Sequence, residues 1–190
     1  MSALKSDIAI AVQRLGISGD SPIRVGDDTA AIPRGDGYDL LACEGMDPHF
    51  VVRMPWFAGW SSVMVNLSDI AAMGGTAKAL VNAIWSNDEQ VAGEVLDGMR
   101  DACTAFDVPM VGGHTNLHAD STQLSVSVFG YADHLLTSFD ATPGQSLVMA
   151  VDLEGEWRGQ DPFWDAATSA TPDRLRPTRP RRQYARQGDC

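Results

Sequence analysis

A chain of 190 residues with 44% hydrophobic residues can bury one core and begin a second, while a formal charge of -11 disfavours general nucleic-acid and anionic-membrane binding because like charges repel. No apolar run reaches the roughly 18 residues of a membrane span, and Lys5 and Asp7 interrupt the N-terminus where a signal-peptide core would lie. The three cysteines, Cys43, Cys103 and Cys190, form no CxxC pair, as expected of reduced thiols in a cytoplasmic protein.

Strand and helix patterns alternate along the chain. Ser6 to Leu15 places Ile8, Ile10, Val12 and Leu15 at helical spacing and breaks at Gly16. Tyr38 to Cys43 reads as a short buried strand. A long helix is expected from Pro55, allowed in a first turn, to Met73, with Gly74 and Gly75 as its stop. Ala77 to Trp85 reads as a strand rich in Val, Ile, Leu and Ala. Asn87 is the expected cap of a second helix running to Phe106, with Asp88 and Glu89 in the first turn at the positive end of the helix dipole. Met110 and Val111 begin another strand, and QLSVSVFGY from Gln123 to Tyr131 alternates as a half-buried strand does. The sum is an α/β (α+β) fold with one mixed sheet against one helical layer.

Pro143 and Gly144 mark a turn, and Ser146 to Val151 reads as a strand opening a second domain. The expected organisation is a first domain over 1–137, the start of an incomplete second domain over 138–170, and a basic, Pro-rich segment over 171–190. That last segment carries arginines from Arg174 to Arg186 and few large aliphatics, so it is expected to be a disordered tail, with truncation or a change of reading frame as one hypothesis for its origin. A basic arm for an acidic partner is the competing reading.

Three separated segments carry the chemistry: GDD at Gly26 to Asp28, NLSDIAAMGG at Asn66 to Gly75, and VGGHT at Val111 to Thr115. With Glu44 ending the strand between the first two, this series resembles the N-terminal half of the superfamily of aminoimidazole-ribonucleotide (AIR) synthetase, thiamine-monophosphate kinase, selenophosphate synthetase and the hydrogenase-maturation protein HypE. The resemblance covers Val25 to Gly144, and PWFAGWSSVMVNLSDIAAMGG is most similar to the AIR-synthase-related branch. It implies an N-terminal ATP-binding domain whose sheet pairs with that of a second subunit to form a barrel, with ATP near the dimer seam. It also implies a C-terminal domain with a second glycine-rich segment. The implied reaction is ATP- and Mg²⁺-dependent phosphoryl transfer or ATP-dependent synthesis on a small molecule.

The residue chemistry agrees with an ATP site. Mg²⁺ takes oxygen ligands, usually one or two carboxylates with phosphates and water completing the shell, and Asp27, Asp28, Glu44 and Asp69 are the candidates. Asp69 interrupts an apolar helix segment, where a carboxylate needs a partner. Gly112 and Gly113 would let backbone N–H groups approach phosphates, Thr115 adds a hydroxyl, His114 can donate to phosphate, and Asn66 belongs to the same binding set. No catalytic residue is assigned. Each motif also has a purely structural reading: Asp27 and Asp28 as turn residues, Gly74 and Gly75 as a helix terminus, Gly112 and Gly113 as a bend.

The chain departs from its relatives at several points. GGHT carries the histidine of selenophosphate synthetase, but no Cys and Lys of that enzyme precede GDD, so selenium chemistry is rejected. Ala42, Cys43 and Glu44 stand where the kinase has Thr-Thr-Asp, and Ser138 stands where it places an arginine near the domain junction. His114 and His118 have a spacing that suits zinc on a helix, yet no third ligand is evident. Trp56, Phe57 and Trp60 read as core or dimer-seam residues. The alternative to an enzyme is a catalytically incomplete nucleotide-binding or dimerisation module, and a zinc hydrolase is a third class.

Overall fold

The computed structural model describes residues 14–16, 25–149, 153, 155–158 and 163–166. The expected helix over Ser6 to Leu15 lies almost wholly outside them, as does the basic segment over 171–190. The order of elements is β1 (Ala30–Arg34), β2 (Gly37–Met46), α1 (Pro48–Arg53), α2 (Pro55–Ala72), β3 (Thr76–Trp85), α3 (Glu89–Phe106), β4 (Met110–Asn116) and β5 (Gln123–Ala132). A short 3₁₀ turn, Ser138–Asp140, and a two-stranded ribbon, β6 (Glu156–Trp157) with β7 (Trp164–Asp165), follow.

One five-stranded sheet in the order β1-β2-β5-β3-β4 is antiparallel except for the β3–β4 pair, which is parallel because α3 carries the chain across. Pro33 is compatible with β1 because that strand lies at the sheet edge. The alternation in β5 decides which face is covered: Leu124, Val126, Val128 and Ala132 are buried, as are Leu40 and Ala42 on β2 and Leu80 and Ile84 on β3. Helix α2 packs over this face with Phe57, Trp60, Val63 and Ile70. The opposite face is open, with Ile32, Leu41, Val81 and the bulged Val111 exposed.

Helix α3 presses against α2 at two glycines. A Cβ on Gly98 would overlap the carbonyl oxygen of Trp56, and one on Gly59 would overlap that of Val95. This close crossing places Trp56 beside Asp101, whose carboxylate accepts from the indole Nε1 at 2.9 Å, and stacks Trp56 on Trp60 at 5.5 Å. Trp60 and Phe57 are buried, so the aromatic group belongs to the core of the single chain.

Local chemistry sets the boundaries. Helix α2 ends as the double glycine predicts: Gly74 takes φ +77, its N–H donates to Ala71 O, and the Gly75 N–H donates to Ile70 O. The cap of α3 is Asp88, not the expected Asn87. Asp88 accepts from the N–H groups of Gln90 and Val91, while Asn87 donates to Asp120 O. Strand β4 runs on through Gly112 and Gly113 to Asn116, beyond the expected bend. Ser146 to Met149 forms no strand; it has no neighbouring strand to pair with among the described residues, and Leu147 is fully exposed.

Candidate functional site

The site lies where the C-terminal turn of α2 meets the sheet. Asp69 occupies that last turn, at the negative end of the helix dipole, an unfavourable place for an uncompensated carboxylate. Its carboxyl is pushed up to about 6 from 3.8, first by burial and then by the charges of Glu44 and Asp28. Two of the other candidate metal ligands, Glu44 and Asp28, therefore act on Asp69, although Glu44 comes from β2, Asp28 from the loop before β1, and Asp69 from α2.

Asp27 is held differently. Its Oδ2 accepts from Thr137 Oγ1 at 2.6 Å and from the Ser138 N–H at 2.9 Å, and its Oδ1 accepts from Ser138 Oγ at 2.8 Å. Partial burial opposes its charge, but these bonds outweigh burial and hold the carboxyl below its ordinary value.

Register links the carboxylates to the glycine strand. Glu44 pairs with Val126, Val126 with Asn82, and Asn82 with Gly113, so one row crosses four strands. At about 4.8 Å per strand, the row spans about 14 Å. Asn82 gives Gly113 a physical reason to be glycine, because a Cβ there would collide with the Asn82 side-chain oxygen. Gly112 has space around it, and Gly112, Gly113, His114 and Thr115 are all exposed on an edge strand. His114 lies beside Trp85, ring centroids 6.5 Å apart. His118 lies beyond the end of β4, so the two imidazoles do not share a helix face. Among the described residues, no three His, Cys, Asp or Glu side chains stand close enough to hold one ion between them.

The chemistry fits a hard cation better than zinc: carboxylates that would supply one or two ligands to an ion, with phosphate and water completing the shell, and no convergent imidazole or thiolate among the described residues. Two buried side-chain oxygens among the described residues have no hydrogen-bond partner. One of these is Asn66 Oδ1, on a fully buried residue whose Nδ2 donates to Ser62 O at 2.8 Å. The other is Thr29 Oγ1, directly after the GDD segment. Thr29 and Asn82 were not singled out from the sequence. An inward-facing polar position in the apolar β3 pattern was the signal for Asn82; Thr29 gave none.

The chain is similar to known proteins in sequence and fold. Residues 26–132 match the family described as AIR synthase related protein, N-terminal domain. An uncharacterized protein of Synechocystis is 48% identical over 176 residues, covering 90% of this chain and 54% of that protein. The thiamine-monophosphate kinase of Halobacterium salinarum is 38% identical over 136 residues, covering 68% of this chain and 45% of that enzyme. The chain thus spans about half the length of these curated relatives. The structure of AaThiL complexed with AMPPCP and TMP has the same fold over 68% of this chain and 42% of its own, with TM-score 0.59 and 22% identity. The family match covers more than half of the sequence: this chain belongs to the AIR synthase related family and carries its N-terminal domain.

Proposed function

We propose that the chain is the nucleotide-binding half of an ATP- and Mg²⁺-dependent enzyme that transfers a phosphoryl group to, or drives a synthetic step on, a small molecule. The observation that carries this reading is the Asp69 carboxyl, pushed up to about 6 by burial and by Glu44 and Asp28, a cluster in need of a cation. Asp69, with Asp28 or Glu44, would supply one or two carboxylates to Mg²⁺, phosphates and water completing its shell, and the ion when bound would neutralise phosphate oxygens. The exposed edge of Gly112, Gly113, His114 and Thr115 would receive the nucleotide's phosphates by hydrogen bonding, whereas Asn66, expected in the same set, is fully buried with its Nδ2 already donating to Ser62 O. The protein's own contribution is positioning and charge; no side chain here is assigned as nucleophile or base. The ATP-analogue complex of AaThiL supports nucleotide binding on this fold.

The partner is proposed to be a second copy of the chain. The open sheet face supports this, since Ile32 and Leu41 on the neighbouring β1 and β2, and Val81 and Val111 on the neighbouring β3 and β4, expose apolar side chains. Free Cys43 and Cys103, with no described helix long and apolar enough to cross a membrane, support a cytoplasmic setting.

A second reading rests on length. The chain spans about half the length of these relatives, and by itself it supports a nucleotide-binding and dimerisation module as the second reading. Thermal unfolding with Mg-ATP tests binding: at a hundredfold excess over Kd, stability should rise by about 2.7 kcal/mol. ADP release with thiamine monophosphate as the first candidate substrate then separates enzyme from module. An unfolding curve unmoved by Mg-ATP contradicts both readings.

A further inference from the structure

We propose that Asp27 is a positioning residue that clasps the segment after β5 and thereby sets Asp28 opposite Asp69, instead of serving as a metal ligand itself. The inference rests on the metal-site reading above.

Asp27, directly before Asp28 in the chain, receives three hydrogen bonds from Thr137 and Ser138, 110 and 111 residues away in sequence. Bonds to an ionised carboxylate are among the stronger ones in proteins, and ligation by Asp27 would require giving some of them up. Gly26, at φ +109, supplies the backbone conformation that begins the loop.

The clasped segment is also fastened to the helix that carries Asp69. The Leu136 N–H donates to Met73 O at 3.1 Å, and the Leu136 side chain packs where Gly74 has no Cβ. Met73 in turn donates to Asp69 O at 3.3 Å. Residues 136–138 thus touch the end of α2 at one point and the GDD loop at the next. The sheet alone cannot fix this relationship, because Asp28 precedes an edge strand. Thr137 and Ser138 would therefore influence a bound metal through Asp27 and the backbone that carries Asp28, one step farther out than the direct partners of a ligand.

The test is Mn²⁺ binding to the full chain, followed by the electron paramagnetic resonance of free Mn²⁺. Thr137→Val combined with Ser138→Ala leaves every carboxylate in place and should weaken Mn²⁺ binding about tenfold, the lower range for loss of an outer-shell partner. Thr137→Ser, which keeps the hydroxyl, should bind like wild type. Equal or tighter Mn²⁺ binding by the double variant would overturn the proposal, because it would mean that the hydroxyls compete with the metal for Asp27. If the double variant does not fold, Ser138→Ala alone reads the same direction at smaller size. Failure of the underlying metal site looks different: Asp69→Asn would then bind Mn²⁺ as wild type does.

Discussion

Asp69, in the last turn of α2, carries the imprint of Glu44 on β2: burial first, and then the Glu44 charge, push its carboxyl up to about 6. Two segments far apart in sequence thus place like charges together where a helix dipole also disfavours them.

This pairing predicts a pH dependence. The folded value of about 6 lies above the ordinary 3.8, so the folded state holds the proton more tightly than the unfolded chain. The sign follows: stability falls as pH rises from about 4 to about 6 and the cost is constant above that, for this group alone. After allowance for solvent screening, the cost is about 1 kcal/mol. Chemical denaturation across this range should show that Asp69→Asn flattens this component and stabilises the metal-free protein at pH 7. An unchanged slope would contradict the pairing.

The α2–α3 crossing predicts opposite effects from one substitution at two sites on one helix. Gly98→Ala forces a methyl into the Trp56 carbonyl and should cost about 1–3 kcal/mol, exceeding the gain in helix propensity of about 1 kcal/mol. Gly93→Ala has open space around it and should stabilise. Melting temperatures of the two variants check this; a stable Gly98→Ala protein would mean that the helices do not cross so closely.

Thiol chemistry reports on the sheet face. Cys43 alternates with buried Ala42 and lies exposed on the open side, near Ser125 Oγ at 3.4 Å, whereas Cys103 is half-buried and its thiol is pushed up by burial. In dilute protein, alkylation mapped by mass spectrometry should modify Cys43 before Cys103. When concentration drives dimer formation, Cys43 should become slow. A dimer with Cys43 still fully reactive would place the interface elsewhere.

The elements legible in the sequence were those with long periodic patterns and local stop signals: α2 with its Gly74–Gly75 end, α3, and the alternating β5. Short β1 and α1 were not, because Pro33 looks like a breaker until the strand is known to be an edge, and six residues give too little periodicity for α1. The apolar run from Ser146 reads as a strand locally, but a strand requires a neighbour that sequence does not provide. In the site, motif and resemblance agree on Asp28, Glu44 and Asp69 as candidates, and the fold brings the first two within electrostatic reach of the third. The bonds of Asp27 were not legible, since Thr137 and Ser138 lie more than a hundred residues away and only the folded chain brings them together.

The central claim is that Asp28, Glu44 and Asp69 form a site for a magnesium-bound nucleotide. Isothermal titration of ATP into the wild-type chain and Asp69→Asn, each with and without Mg²⁺, tests it most directly. The account predicts Mg²⁺-dependent binding to wild type and at least a tenfold loss, about 1.4 kcal/mol, in Asp69→Asn. ATP binding that needs no Mg²⁺ and is unchanged by Asp69→Asn would contradict it.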